Sequence, residues 1–291
     1  MSNLGMPRSL LYVPAHNEKM MAGAARRGAD AIILDLEDSV PEAAKDAARK
    51  QLAESARKVG ETGALVLVRT NGSWSLAWRD LEAAAAAGAG GVMLSKVDSP
   101  AKVEALGGYL VELEERFGLP PLALLLTVES ARGLSAVQGI AAALARLPGA
   151  GVGRLTALVP GNEDLSLSLH VEPSPELMAG ALWPLFTAAR AYGHALIGSV
   201  GSGADYRDLE AYRRRVELTR SYGFEGTTCI HPAQVQVVNE AYRPSDSELE
   251  WARKVVAAFE ERGGDAVGVD GQMIDRPVYL RAKRLVEEAG R

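Results

Sequence analysis

Several apolar runs in this sequence end on side chains that could do chemistry. AIILDLED (31–38) runs into Asp35, Glu37 and Asp38, and ALVLVRTN (64–71) closes on Arg69 and Asn71. GVMLSKV (91–97) carries Lys96, LALLLTVES (122–130) carries Glu129, RLTALVPG (154–161) leads into Glu163 and Asp164, and GTTCIHP (226–232) brings His231. Carboxylates on separate strands with few histidines nearby suit a hard cation such as Mg²⁺, which takes one or two protein carboxylates and leaves the rest to water and substrate oxygens. Zinc is disfavoured, because Cys229 is the only cysteine and the four histidines have no ligand spacing. Arg69 beside such an ion could hold a carboxylate or stabilise a developing oxyanion. It could also form a buried ion pair with the acids of 31–38, and both roles can hold at once. A strand reaching water explains any one of these residues alone; their recurrence at strand ends points to one shared rim.

The elements that must position them alternate short Leu- or β-branched runs with longer helical patterns. Eight such units are predicted, with strands at 9–14, 31–38, 64–71, 91–97, 122–130, 154–161, 195–201 and 226–232. Most are continuous apolar runs, as expected of parallel strands covered on both faces. Leu209, Tyr212 and Val216 share one helical face, as do Leu249, Ala252, Val256 and Phe259. Gly28, Gly60, Gly88, Gly118, Gly193 and Gly223 follow helix candidates, where a left-handed cap is expected. The alanine run 81–90 reads as a helix with a glycine stop. Eight β/α units predict an α/β protein with a TIM (β/α)8 barrel, the doubly wound open sheet being the rival. The barrel is expected over 1–262. Residues 263–291 form a C-terminal helical extension, opened by a Gly-rich loop of about a dozen residues that is too long for an idle connection. In a barrel, catalytic groups come from the carboxyl ends of strands, which is where the acids and Arg69 fall. Alternation along 31–38 would put Asp35 and Glu37 on one side and Asp38 on the other, so this cluster is expected to orient metal waters and Arg69 and not to bind the ion itself.

Composition narrows the function. Hydrophobic residues at 47% and charged residues at 24% of 291 residues are ordinary globular values. A net charge of −5 without a Lys/Arg block argues against nucleic acid as a partner. The amino terminus lacks a basic segment followed by a long apolar one, and no window nears the roughly 18 apolar residues of a membrane helix. A soluble, unprocessed chain in the cytoplasm is expected, and a single cysteine fits that reducing compartment. GSVGSG (198–203) follows the seventh strand, where barrels often bind phosphate, but it lacks the Lys-Ser/Thr of a P-loop and reads equally as a tight turn. His231 is open between proton transfer and a structural hydrogen bond. No Ser/His/Asp order suggests an acyl-enzyme.

Taken in order, RSLLYVPAHNEKM, ILDLEDSVPEAAKDAAR, VRTNG, TVESARGL, GNEDL and CIHPAQVQVVNEAY resemble the citrate lyase β-subunit-like family of the HpcH/HpaI aldolase superfamily, in the branch of malyl-CoA and citramalyl-CoA lyases. The resemblance runs from Arg8 to about Lys283. It implies a barrel in which Glu129 and Asp164 hold Mg²⁺ and Arg69 contacts the reacting carbonyl region. Tyr12 and Lys19 match substrate- or CoA-contacting positions, and Ile230, His231 and Pro232 match the segment lining the acyl-CoA site. GQMIDRP resembles the piece carrying a catalytic Asp, here Asp275, which relatives deliver into a neighbouring subunit. A homo-oligomer with shared active sites, a trimer or a dimer of trimers, is therefore implied.

The implied reaction is reversible cleavage of a 3-hydroxyacyl-CoA, of citramalyl-CoA or malyl-CoA type, to acetyl-CoA and pyruvate or glyoxylate. Three alternatives stand beside it: a citrate lyase β subunit acting on an acyl carrier protein, a metal-dependent pyruvate aldolase without CoA, and a catalytically silent assembly or regulatory barrel. The stretch between Glu129 and Asp164, with LARLPGAGVGRL inside it, is longer than in compact relatives and favours the free-standing CoA-ester enzyme.

Overall fold

The computed structural model of the protein describes residues 6–24 and 26–290. The amino-terminal reading above falls in part on residues 1–5, and these, with Ala25 and Arg291, lie outside the described residues. The chain divides into two compact units, one of Met6–Asn239 and one beginning at Glu240.

The first unit is the barrel. Its strands are β1 (Ser9–Pro14), β2 (Ala31–Asp35), β3 (Leu65–Arg69), β4 (Gly91–Leu94), β5 (Ala123–Val128), β6 (Thr156–Pro160), β7 (Ala195–Leu196) and β8 (Thr227–Cys229). All eight are parallel, in the order β7-β6-β5-β4-β3-β2-β1-β8. A parallel bridge between Ile197 and Gly226 joins the two ends of this sheet. Every predicted strand is present; β1 matches its run, and the other seven are shorter than theirs, because those runs continue into the loops that carry the polar groups.

Strand alternation decides what enters the barrel. Leu10, Ala31, Ile33, Leu67, Met93, Leu125, Ala157, Val159 and Ile197 belong to one buried cluster against which Tyr12 packs. Continuing the period of two toward the carboxyl ends brings Asp35 after Ile33, Arg69 after Leu67, and Thr127 then Glu129 after Leu125. The sequence pattern that builds the interior thus also aims the polar groups at the mouth. At the other end Gly91 is forced, since a Cβ there would lie 2.5 Å from Ala123 Cβ.

Around the strands the helices follow the predicted pattern with local shifts. The alanine run ends helix Trp74–Ala86, which buries Leu81, Ala84 and Ala85. Helix Leu209–Ser221 buries Tyr212 and Val216, while Leu209 stays partly exposed. Of the glycines expected as caps, Gly60 is instead the last residue of helix Lys45–Gly60, and Gly63 takes the left-handed conformation three residues later. No helix among the described residues is long and apolar enough to cross a membrane.

In the second unit, helices Asp246–Glu261 and Arg276–Ala289 share a core of Ala252, Val255, Phe259, Ile274 and Ala282. A capping box of Ser245 and Glu248 starts the first of them. The Gly-rich stretch is not a structureless loop: β9 (Val267–Val269) and β10 (Gln272–Ile274) pair antiparallel around Asp270-Gly271, both at positive φ. Asp-Gly is the residue pair that a two-residue hairpin of this hand requires.

One buried ion pair secures the barrel away from the polar mouth. Arg154 donates to both carboxylate oxygens of Glu114, at 2.6 and 2.7 Å, and to the Leu122 and Pro148 carbonyls. Arg154→Met would leave the Glu114 charge buried without its partner, at a cost of about 3 to 5 kcal/mol. Urea titration should show that loss with an unchanged slope; a shift below about 1 kcal/mol would contradict it.

Candidate active site at the barrel mouth

Arg69 and Asp35 are paired in register across β2 and β3. Their side chains meet in a two-pronged contact, Arg69 Nε to Asp35 Oδ1 at 2.7 Å and Nη2 to Oδ2 at 2.6 Å. Asp35 also accepts from the Glu37 and Ser39 amides and from the Ser39 hydroxyl. Burial opposes its charge, but the Arg69 guanidinium outweighs that and holds the carboxyl below the usual aspartate range. For Arg69 too burial opposes the charge, and the hydrogen-bonded Asp35 carboxylate keeps the guanidinium protonated. The guanidinium lies 4.8 Å from the centre of the Tyr12 ring, whose hydroxyl donates to Met93 Sδ. Burial pushes the Tyr12 phenol up, so it stays neutral.

The amide bonds accepted by Asp35 turn the chain sharply past β2, and this overturns the alternation expected for the next residues. Because the strand ends at Asp35, Glu37 and Asp38 do not fall on opposite faces of a sheet. Arg69 Nη1 lies 3.1 Å from Glu37, and Lys96 Nζ lies 3.4 Å from Glu37 and 3.5 Å from Asp38. All three acids therefore gather at Arg69, and Glu37 and Asp38 also reach Lys96. Glu37 is 3% exposed and neither oxygen has a hydrogen-bond partner, although both cations are close. Burial pushes its carboxyl up to about 7, with Arg69 opposing and the Glu129 and Asp38 charges reinforcing the rise.

Lys96 joins the acids of β2 to those of β5 and β6. Its ammonium is 3.5 Å from Asp164, and its backbone N–H donates to Glu129 Oε1 at 2.5 Å. Thr127 Oγ1 donates to that same oxygen at 2.9 Å. Burial raises the Glu129 carboxyl, and these two donors only partly offset the rise. Its other oxygen faces Gly161, where a Cβ would lie 2.5 Å from Oε2. The Glu129 carboxylate and the half-exposed Asp164 carboxylate are the hard oxygen donors that suit a cation such as Mg²⁺. Among the described residues no group of three or more His, Cys, Asp and Glu gathers as a metal cage.

The remaining residues have local roles. Lys19 is exposed on helix Glu18–Ala24. The Ile230 and His231 amides both donate to Gln234 Oε1, and His231 Nδ1 accepts from the Ala233 amide at the start of helix Pro232–Ala241. The His231 ring stacks on Tyr206 with centroids 4.6 Å apart. Within GSVGSG the chain turns around Asn162, whose amide donates to the Ser199 and Gly201 carbonyls. Glu163 accepts from Ser202 there. Asp275 belongs to the second unit, where it precedes helix Arg276–Ala289 and accepts from the Val278 amide at 3.1 Å.

The family described as HpcH/HpaI aldolase/citrate lyase matches residues 8–232, and a C-C bond lyase family of the TIM-barrel fold matches residues 177–290. The chain is 32% identical to citrate lyase subunit beta of Leuconostoc mesenteroides subsp. cremoris, covering 99% of this chain and 95% of that one. It is 34% identical to a (3S)-malyl-CoA thioesterase of Cereibacter sphaeroides, covering 97% and 94%. A crystal structure of protein CitE from Mycobacterium tuberculosis in complex with magnesium, acetoacetate and coenzyme A superposes with a TM-score of 0.78 at 32% identity, covering 99% of this chain and all of that one.

The Glu37 environment has a consequence for stability. Its carboxyl titrates higher in the folded chain than in the unfolded one, so between about pH 4.5 and 7 the folded state keeps a proton that the unfolded state has lost. This group's contribution therefore falls as pH rises through that window, by roughly 1 to 3 kcal/mol. Glu37→Gln, measured in EDTA, should gain stability over wild type between pH 5 and 8. Parallel pH profiles for the two proteins would refute the assignment.

Proposed function

The chain belongs to the HpcH/HpaI aldolase/citrate lyase family, and on that premise we propose that it is a Mg²⁺-dependent carbon–carbon lyase of 3-hydroxyacyl-CoA thioesters. The substrate would be of citramalyl-CoA or malyl-CoA type, cleaved reversibly in the cytoplasm to acetyl-CoA and pyruvate or glyoxylate. The observation that carries this reading is the meeting, at one barrel mouth, of a metal-capable pair, Glu129 and Asp164, with the buried guanidinium of Arg69. Magnesium and coenzyme A in the related Mycobacterium tuberculosis structure support it.

Glu129 and Asp164 would hold the ion. When bound, magnesium supplies Lewis acidity and a template for the oxoacid's carboxylate and its hydroxyl or keto oxygen. Asp35 fixes the plane and the charge of Arg69. As the carbon–carbon bond breaks, the substrate hydroxyl gives its proton to solvent water and becomes the oxoacid's keto oxygen, the bond's electron pair passes to the thioester carbonyl, and Arg69 stabilises the resulting enolate. Asp275 protonates the enolate carbon, or takes a proton from acetyl-CoA in the reverse direction. In this reading it is supplied by a neighbouring subunit of a trimer or a dimer of trimers. Glu37 and Asp38 hold Arg69 and the Lys96 ammonium and would orient water at the ion, while Tyr12, Lys19, Ile230, His231 and Pro232 would contact the substrate.

Lys is not equivalent to Arg at a two-pronged contact. Arg69→Lys should therefore lower kcat by on the order of 10²-fold with little change in Mg²⁺ affinity. Full turnover would remove Arg69 from the mechanism. Separately impaired Arg69→Lys and Asp275→Asn chains should gain activity above either parent after subunit exchange, whereas no gain in verified mixed oligomers would contradict a shared site. A panel of malyl-, citramalyl- and citryl-CoA, with and without EDTA, tests the reaction class itself. Acetyl-CoA and an oxoacid are expected, with loss of both in EDTA. Release of free CoA and an intact hydroxyacid would instead mean a thioesterase, the activity for which the Cereibacter sphaeroides relative is named.

A further inference from the structure

Lys102 is a buried lysine, 4% exposed, and among the described residues no carboxylate lies within ion-pair distance of it. Its ammonium instead donates to three backbone carbonyls, Gly72 and Lys96 at 2.8 Å and Ser95 at 3.1 Å. Three donors meet three acceptors, so the hydrogen bonding of the group is complete. Lysine is almost never buried without a charged partner, and burial pulls this ammonium below the usual lysine range. What it does is tie the loop after β3 to the loop after β4.

The residue it grips has an unusual backbone. Lys96 sits at φ 53, the left-handed region that a non-glycine side chain occupies only where its surroundings hold it. Gly72 is what admits the Lys96 stem, since a Cβ on Gly72 would lie 2.8 Å from Lys96 Cδ. In this conformation the Lys96 N–H reaches Glu129 Oε1 at 2.5 Å while the Lys96 carbonyl turns toward Lys102. The bond from Thr127 completes the anchoring of that oxygen and leaves Oε2 toward Gly161.

We propose that Lys102 is a positioning residue for the Glu129 carboxylate: by gripping the Gly72, Ser95 and Lys96 carbonyls it holds Lys96 in its left-handed conformation and so presents Glu129 to a divalent cation. This rests on the reading of Glu129 as a metal ligand. It makes a prediction opposite in sign to a role through charge. Removing a positive group near the site would tighten cation binding if charge were what mattered, and would loosen it if position were.

The test is titration calorimetry of Mg²⁺, with Mn²⁺ as a second probe, on wild type, Lys102→Met and Lys102→Gln, each first checked for folding by thermal melting in EDTA. Lys102→Met is expected to bind about 10-fold more weakly, with Lys102→Gln, which keeps an amide donor, between it and wild type. Affinity equal to or tighter than wild type in folded Lys102→Met overturns the proposal, even if its melting temperature falls. Should Lys102→Met fail to fold, unchanged affinity in Lys102→Gln overturns it equally. Wild type that binds neither ion refutes the metal reading and this proposal together, whereas wild-type binding with an unaffected Lys102 variant refutes this proposal alone.

Discussion

A guanidinium taken out of water has to be matched, and at this barrel mouth Asp35 is the group that matches Arg69. The two residues face each other in register on adjacent strands, and both prongs of the fork are used. The match has further effects. The remaining capacity of Asp35 accepts the Glu37 and Ser39 amides, and this turns the chain after β2 so that Glu37 and Asp38 come back toward Arg69 and Lys96. A buried pair of this kind contributes little net stability, because desolvation offsets its attraction. Its value is geometric: it fixes one orientation for a cation that otherwise has many rotamers.

The mouth then holds two subsystems. On the β2–β3 side a guanidinium is held rigidly by a carboxylate that stays ionised. On the β5–β6 side Glu129 is anchored through one oxygen while Asp164 remains half exposed, an arrangement suited to a cation that keeps water and substrate oxygens among its ligands. Lys96 spans the two, with its side chain among the acids of β2 and β6 and its amide on the acid of β5. Charge that develops on a substrate between these subsystems would meet dipoles and charges already in place.

Much of this was legible in the sequence, because both barrel and site follow one period of two. The apolar runs that fill the interior lead directly into Asp35, Arg69 and Glu129, so counting strands was enough to find the rim. What was not legible depends on contacts distant in sequence. Asp38 could not be placed by alternation, since Asp35 ends the strand through amide bonds that no spacing reveals. Lys96 stood at a strand end, but its left-handed backbone needs Gly72 and Lys102 to hold it. The terminal Gly-rich stretch read as a loop although Asp270-Gly271 signals a tight hairpin, because strands of three residues are too short to show a pattern. The helix expected to stop before Gly60 includes it and is capped by Glu61, with the left-handed residue at Gly63, because helix ends are set by local bonding more than by the first available glycine.

The central claim is that Arg69, held by Asp35, stabilises a thioester enolate beside a bound divalent cation. The most direct measurement is solvent exchange of the acetyl-CoA methyl protons, followed by NMR in D2O with Mg²⁺ and oxalate as an unreactive mimic of the oxoacid. The account predicts exchange with wild type that stops in EDTA and falls on the order of 10²-fold in Arg69→Lys. Thioester turnover by wild type with no methyl exchange under any of these conditions would contradict it.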